Sequence, residues 1–184
     1  MEEKKESVTV HLKGIKPLLM HAANSIGQTS TKKTNNYDPQ EEAEAALHKD
    51  AKGVIGVPSI AIVQCMKKAA TEHKAPGRGK KTLKDFVLSG LLIHDEFIPL
   101  TPQDWVVDSR PAVVQRARIM RWRPRFDKWE LKFGIEITDP SIWNPSLIKS
   151  ILLDAGRYVG LLDFRPFFGT FDVVSVTYNG KEIR

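Results

Sequence analysis

Three well-separated stretches alternate apolar and polar residues so strictly that half-buried β-strands are the structures that suit them. Val8, Val10 and Leu12 alternate with Thr9, His11 and Lys13 across Ser7–Lys13. Leu131, Phe133, Ile135 and Ile137 repeat the pattern, and Thr170–Tyr178 repeats it near the end of the chain. Residues two apart share one face of a strand, so each stretch offers a single apolar face to a core. Helical spacing fills the intervals. Asp38 can cap a helix, Pro39 suits its first position and Glu41 follows three residues after the cap, so a helix is expected from there to about Lys49. Ser59 caps a second helix, in which Ile62, Cys65, Met66 and Ala69 recur on one side. Asn144-Pro145 opens a third, with Leu147, Ile148, Ile151, Leu152, Ala155 and Tyr158 along one face. Phe86–Leu100 is apolar with Gly90 inside it and reads as one or two short strands, and Asn179-Gly180 reads as a turn.

The order strand, helices, strands, helix, strand implies an α+β fold: a ferredoxin-like or RRM-like antiparallel sheet with helices on one face. No repeat or linker divides the chain, so residues 1–184 are expected to form a single domain. The chain is longer than such a sheet requires. The polar segment Asn24–Tyr37 and the basic segment Lys74–Lys84 therefore read as inserted mobile loops. No apolar run approaches the roughly 20 residues that cross a bilayer. The opening MEEKKES lacks the apolar stretch of a signal peptide. A lone Cys65 excludes an internal disulfide and a cysteine-based zinc site. Together these features point to a reducing cytoplasm.

Charge is concentrated in Asp108–Lys132, which carries six arginines and two lysines against three acids, most of the chain's net charge of +6. This segment reads as a long basic β-hairpin with its tip near Pro124–Asp127. Over Arg116–Lys132, Arg116, Arg118, Met120 and Trp122 would then line one side, with Arg121, Arg123 and Arg125 on the other or at the tip. Guanidinium groups suit phosphate oxygens and indoles suit unstacked bases. The expected contacts are Arg110, Arg116, Arg118, Arg121, Arg123, Arg125 and Lys128 to phosphates, and Trp122, Trp129 or Phe126 to bases. Lys80 and Lys81, beside Gly77 and Gly79, form a second candidate. No GxxxxGK[ST] motif occurs, and the histidines show no metal-ligand spacing.

Near the C-terminus, AGRYVGLLDFRPFFGTFDVVSV (Ala155–Val176) sets a helix end at Gly160, a loop carrying Arg165, then Gly169 and a strand. This helix, glycine-bounded loop and closing strand resemble the C-terminal signature of the RAMP superfamily. Those are RNA-binding proteins that include the backbone subunits of CRISPR effector complexes. The opening VTVHLKGIKPLLMH is similar to their first strand. The family's loop carries paired glycines at each end, where this chain has Leu162 and Phe171 in the second places. PLLMH and VGLLDFRPFFGTF, with RPAVVQRARIMRWRP between them, also resemble a group of uncharacterised bacteriophage and prophage proteins. The RAMP resemblance implies RRM-like folds that polymerise along a single strand, with Gly160, Arg165 and Gly169 near the nucleic acid or the next subunit. It also puts His21 where some RAMP endonucleases keep a general base.

The expectation is a non-enzymatic protein that binds single-stranded RNA or DNA and assembles into a homo-oligomer or filament. It is expected to be phage-encoded, to act in the host cytoplasm, and to use no cofactor, metal, membrane or small-molecule substrate. There are two rivals. One is a metal-independent RNA endonuclease with His21 as base. The other is an interaction protein whose basic hairpin meets an acidic partner or a neighbouring subunit. At this point RNA and DNA are equal candidates.

Overall fold

The computed structural model describes residues 6–22, 38–114 and 117–183. The alternating stretches form the middle of one antiparallel sheet. β1 (Glu6–Gly14) lies between β8 (Glu130–Ile137) and β9 (Phe171–Tyr178), and the sheet order is β10-β9-β1-β8-β4. β4 is Leu91–Leu92 and β10 is Lys181–Glu182. Val8 faces Ile135, Val10 faces Phe133 and Leu12 faces Leu131, so period-two alternation puts all six on one face. Five of the six are at most 1% exposed, and Phe133 is 4% exposed. α2 (Ser59–Ala69) and α4 (Pro145–Asp154) bury Ile62, Cys65, Met66, Ile148, Ile151 and Leu152 in the same core. Strands β1, β4, β8 and β9 with helices α2 and α4 make the β-α-β-β-α-β pattern, so the α+β, ferredoxin-like expectation holds. Asn179 and Gly180, with φ of 50° and 74°, form the two-residue turn that pairs Tyr178 with Lys181.

Local chemistry sets the helix ends. The Asn144 side chain accepts from Leu147 N at 2.9 Å, and Pro145 takes the first turn. Asn144→Ala should cost about 1 kcal/mol of stability, read as a lower thermal midpoint with an unchanged folded spectrum. Asp38 caps α1 (Pro39–Ala45) by accepting from Gln40 N at 2.9 Å. That helix stops short of the expected Lys49, because Ala46–Asp50 turns back to bridge Lys49 with Ile55. Pro58 rather than Ser59 takes the cap position of α2; Pro58 also ends β3 (Gly56–Pro58), so Ser59 is already helical. Phe86–Leu100 contains α3 (Val87–Gly90), β4 and β5 (Phe97–Pro99).

α4 continues into a π-turn, Ala155–Val159, that seats it on α2. Cys65 Sγ lies 3.1 Å from Gly160 O, and burial pushes its thiol up to about 12. Cys65 should therefore resist a thiol reagent at pH 8 in the native protein and react on unfolding. Rapid labelling of the folded chain would contradict this.

The arginine-rich segment forms a ribbon of its own. β6 (Val106–Val114) and β7 (Ala117–Phe126) pair from Val106↔Arg125 to Val114↔Ala117, and β2 (Leu18–Leu19) adds to the other edge of β7. The two strands are paired through Val107↔Pro124 and onward to Val114↔Ala117, so the ribbon does not turn back near Pro124–Asp127 as expected. Pro124 sits within β7, opposite Val107, and its carbonyl accepts from Met20 N at 3.2 Å. Asp127–Trp129 carries the chain from the ribbon into β8. Arg116 and the segment 23–37 lie outside the described residues.

Candidate nucleic-acid interface

Three elements meet at one end of the main sheet. β1 ends there and β8 and β9 begin there, since Lys13 pairs with Glu130 and Gly14 with Phe171. The Gly160–Gly169 loop docks on the segment after β1: Gly169 N donates to Pro17 O at 2.8 Å and Asp163 N to Leu19 O at 3.2 Å. The base of the ribbon closes on the same loop, with Arg123 Nε 2.8 Å from Asp163 Oδ2.

The two faces of the ribbon differ. Opposite residues share a face, so Asp108 and Arg110 lie with Arg121, Arg123 and Arg125, while Ser109, Pro111 and Val113 lie with Arg118, Met120 and Trp122. The first face is covered by α1 and the glycine loop, and its arginines meet acids. Arg121 Nη1 donates to Glu42 Oε1 at 3.2 Å. Arg123 is 6% exposed and lies against Asp163. Arg110 Nε donates to Asp108 Oδ1 at 2.6 Å. Arg125 reaches Asp127 at 2.8 Å and Asp108 at 3.2 Å, and its hydrogen bond to Asp127 raises its pKa further. Arg110 and Arg125 stay about one-third exposed, whereas Arg121 and Arg123 are held inside. The second face is open: Arg118 is exposed, Val113 is 70% and Met120 46% exposed, and Trp122 is half-buried. The two-sided distribution expected of the hairpin is therefore one open side and one closed side.

Several expected contacts are structural. Trp129 is 1% exposed, donates its indole N–H to Lys16 O at 2.9 Å and stands edge-on to Phe171. Phe126 is fully buried. Neither can stack a base, because β7 and β8 feed both rings into the core at the crossover. Gly169 is buried with a φ of 71°, and a Cβ there would collide with the Leu161 carbonyl oxygen. The loop's own closure requires that glycine, so close approach of a strand does not explain it. Lys128 and Arg165 are exposed. Lys80 and Lys81 are exposed in the connection between α2 and α3, whose ends are tied by a Lys74↔Thr82 bridge and by Ala75 N donating to Lys81 O at 2.9 Å.

The sequence reading missed Lys16, Phe164 and Phe167. Lys16 Nζ lies 5.6 Å from the Phe167 ring centre, Arg123 5.1 Å from that of Phe164, and Arg110 4.6 Å from that of the buried Phe168. The available signal was FRPFF inside a glycine-bounded loop.

Behind Arg123 sits a small polar cluster. His21 Nδ1 is 3.9 Å from Asp163 Oδ2, and burial followed by the Arg123 charge lowers the His21 pKa. His48 is close enough for its pKa, lowered mainly by burial, to feel His21. Glu42 Oε2, Arg123 Nε and Nη1, and Asp163 Oδ2 are buried without hydrogen-bond partners, so Arg123 and Asp163 meet as an ion pair and not through an aligned hydrogen bond. Among the described residues, no group of His, Cys, Asp and Glu is arranged to hold a metal ion, and no helix is long and apolar enough to cross a membrane.

No protein-family profile matches the chain, and no curated protein matches it. Among solved structures, it is similar over 95% of its length to a chain of the type III-B Cmr-beta bound to cognate target RNA, with a TM-score of 0.57 at 12% identity. The two chains share the α+β, ferredoxin-like fold. This chain spans 61% of the length of that solved chain.

Proposed function

We propose that this RAMP-like protein binds single-stranded nucleic acid, RNA ahead of DNA, along the open face of the ribbon and the end of the sheet beneath it. The observation that carries the reading is a line of cations that are all at least partly exposed: Arg118 on the open face, then Lys16, Arg110, Arg125, Lys128 and Arg165 at that end beside exposed aromatic rings. Cations for phosphates beside rings for bases suit an unpaired strand better than a duplex, whose bases are already stacked. The likeness to a chain from a complex bound to target RNA supports placing RNA first. In this reading the protein holds the strand without cutting it, needs no cofactor and lines up copies along it. On the same reading it is phage-encoded and meets the strand in the host cytoplasm. Fluorescence anisotropy with labelled single-stranded RNA, single-stranded DNA and duplex tests the reading. Length-dependent binding strongest for single-stranded RNA is expected, and equal or tighter binding to duplex would overturn it. Sedimentation with strands of increasing length should show mass rising in steps of one protomer.

One observation favours a second reading. His21 Nδ1 lies 3.9 Å from the Asp163 carboxylate, a group able to orient an imidazole that acts as base in a metal-independent RNA endonuclease. Incubating RNA with the protein in EDTA separates the two. Cleavage abolished by His21→Ala would replace holding with cutting.

A further inference from the structure

We infer that the tip of the glycine-bounded loop is a base-stacking site, in which Phe167 and Phe164 take unpaired nucleobases while Lys16 and Arg165 take the flanking phosphates. The inference rests on the single-strand reading above and gives the loop a role different from backbone approach. Phe167 is 67% exposed and Phe164 43%, with Arg165 exposed between them in the chain. Burying large rings is worth far more than leaving them in water, so two such rings on one short loop require a reason. The backbone supplies a second observation. Leu162 and Phe164 hold φ of 57° and 53°, a left-handed conformation that side-chain-bearing residues pay for in strain. The surroundings over-determine it: Asp163 between them is fixed to Arg123 by its carboxylate and to Leu19 O by its N–H.

The charges name the occupant. Lys16 and Arg165 flank the rings, and Arg110 lies beneath Phe168. Among the described residues, Asp163 of this loop is engaged by Arg123, and Asp108 at the base of the ribbon by Arg110 and Arg125. An apolar protein surface laid on these rings would strip water from Lys16 and Arg165 and return nothing. A strand brings flat bases to the rings and phosphates to the cations.

The test compares a single-stranded RNA oligonucleotide with an abasic strand of the same length and phosphate number, by fluorescence anisotropy. The wild-type protein should prefer the base-bearing strand by about 5- to 150-fold, the range for one stacked base. Phe167→Ala should remove most of that preference by weakening the base-bearing strand far more than the abasic one, and Phe167→Trp should keep it. Adding Phe164→Leu to Phe167→Ala should remove what remains. An unchanged thermal midpoint shows that each variant is folded. Equal wild-type affinity for the two strands, or a preference that survives both substitutions, overturns the stacking site while leaving the single-strand reading in place. No wild-type binding to any strand overturns both.

Discussion

Asp163→Ala is expected to lower the free energy of unfolding toward the lower end of the roughly 3–5 kcal/mol lost when one partner of a buried ion pair is removed. Arg123 is 6% exposed, and its Nε and Nη1 both lack a hydrogen-bond partner, so the charge of Asp163 is what offsets it. Asp163 is the carboxylate in contact with it, at 2.8 Å. Without that carboxylate a full positive charge stays in a site with little water, and desolvation is no longer offset. The lower end applies because the Asp163 side chain is 29% exposed, which leaves water some access. Replacing both partners, Asp163→Ala with Arg123→Met, should recover most of the loss, since a flexible apolar side chain fits a site that no longer holds a charge. Urea denaturation of the wild type, the single variant and the double variant measures it. A single-variant loss below about 1 kcal/mol, the worth of an exposed pair, would mean that water already compensates Arg123.

The second large effect is on binding. Lys16, Arg110, Arg118, Arg125, Lys128 and Arg165 each keep some exposure and can meet phosphates. With about six contacts at a slope of about −0.7 each, affinity for a single strand should fall a few hundredfold between 50 and 200 mM salt. The two ribbon faces then behave differently. Arg118→Ala, on the open face, should reduce the slope by about 0.7. Arg121→Ala should leave the slope unchanged and weaken the fold, because Arg121 is 14% exposed and bonded to Glu42. Equal changes in slope for the two variants would mean that α1 does not shield the first face.

Much of the architecture is legible because burial imposes a period. Val8–Leu12, Leu131–Ile137 and the face of α4 each carry a repeat that one structure alone satisfies. The hairpin turn was misplaced because Pro124 and Asp127 have turn chemistry, while tertiary pairing of Leu18–Leu19 with β7 keeps that stretch extended. The fate of the aromatics is likewise non-local. Trp122 and Trp129 look alike in sequence, but the crossover at Asp127–Trp129 leaves one on the ribbon and carries the other into the core. The arginines were read as free because each acid partner of Arg121 and Arg123 is distant in sequence. Glu42 lies 79 residues away from Arg121, a separation that no local pattern reports.

The neck of the glycine-bounded loop has a kinetic consequence. Leu161 N donates to Gly169 O at 2.9 Å and Phe168 N to Phe164 O at 3.1 Å, so the loop is cross-braced without any ligand. A tip fixed this way loses little conformational entropy when a strand arrives. Association should therefore run in one phase near the electrostatically steered limit, with no slower ordering step behind it. Differences in affinity among strands would then reside in how long each one stays.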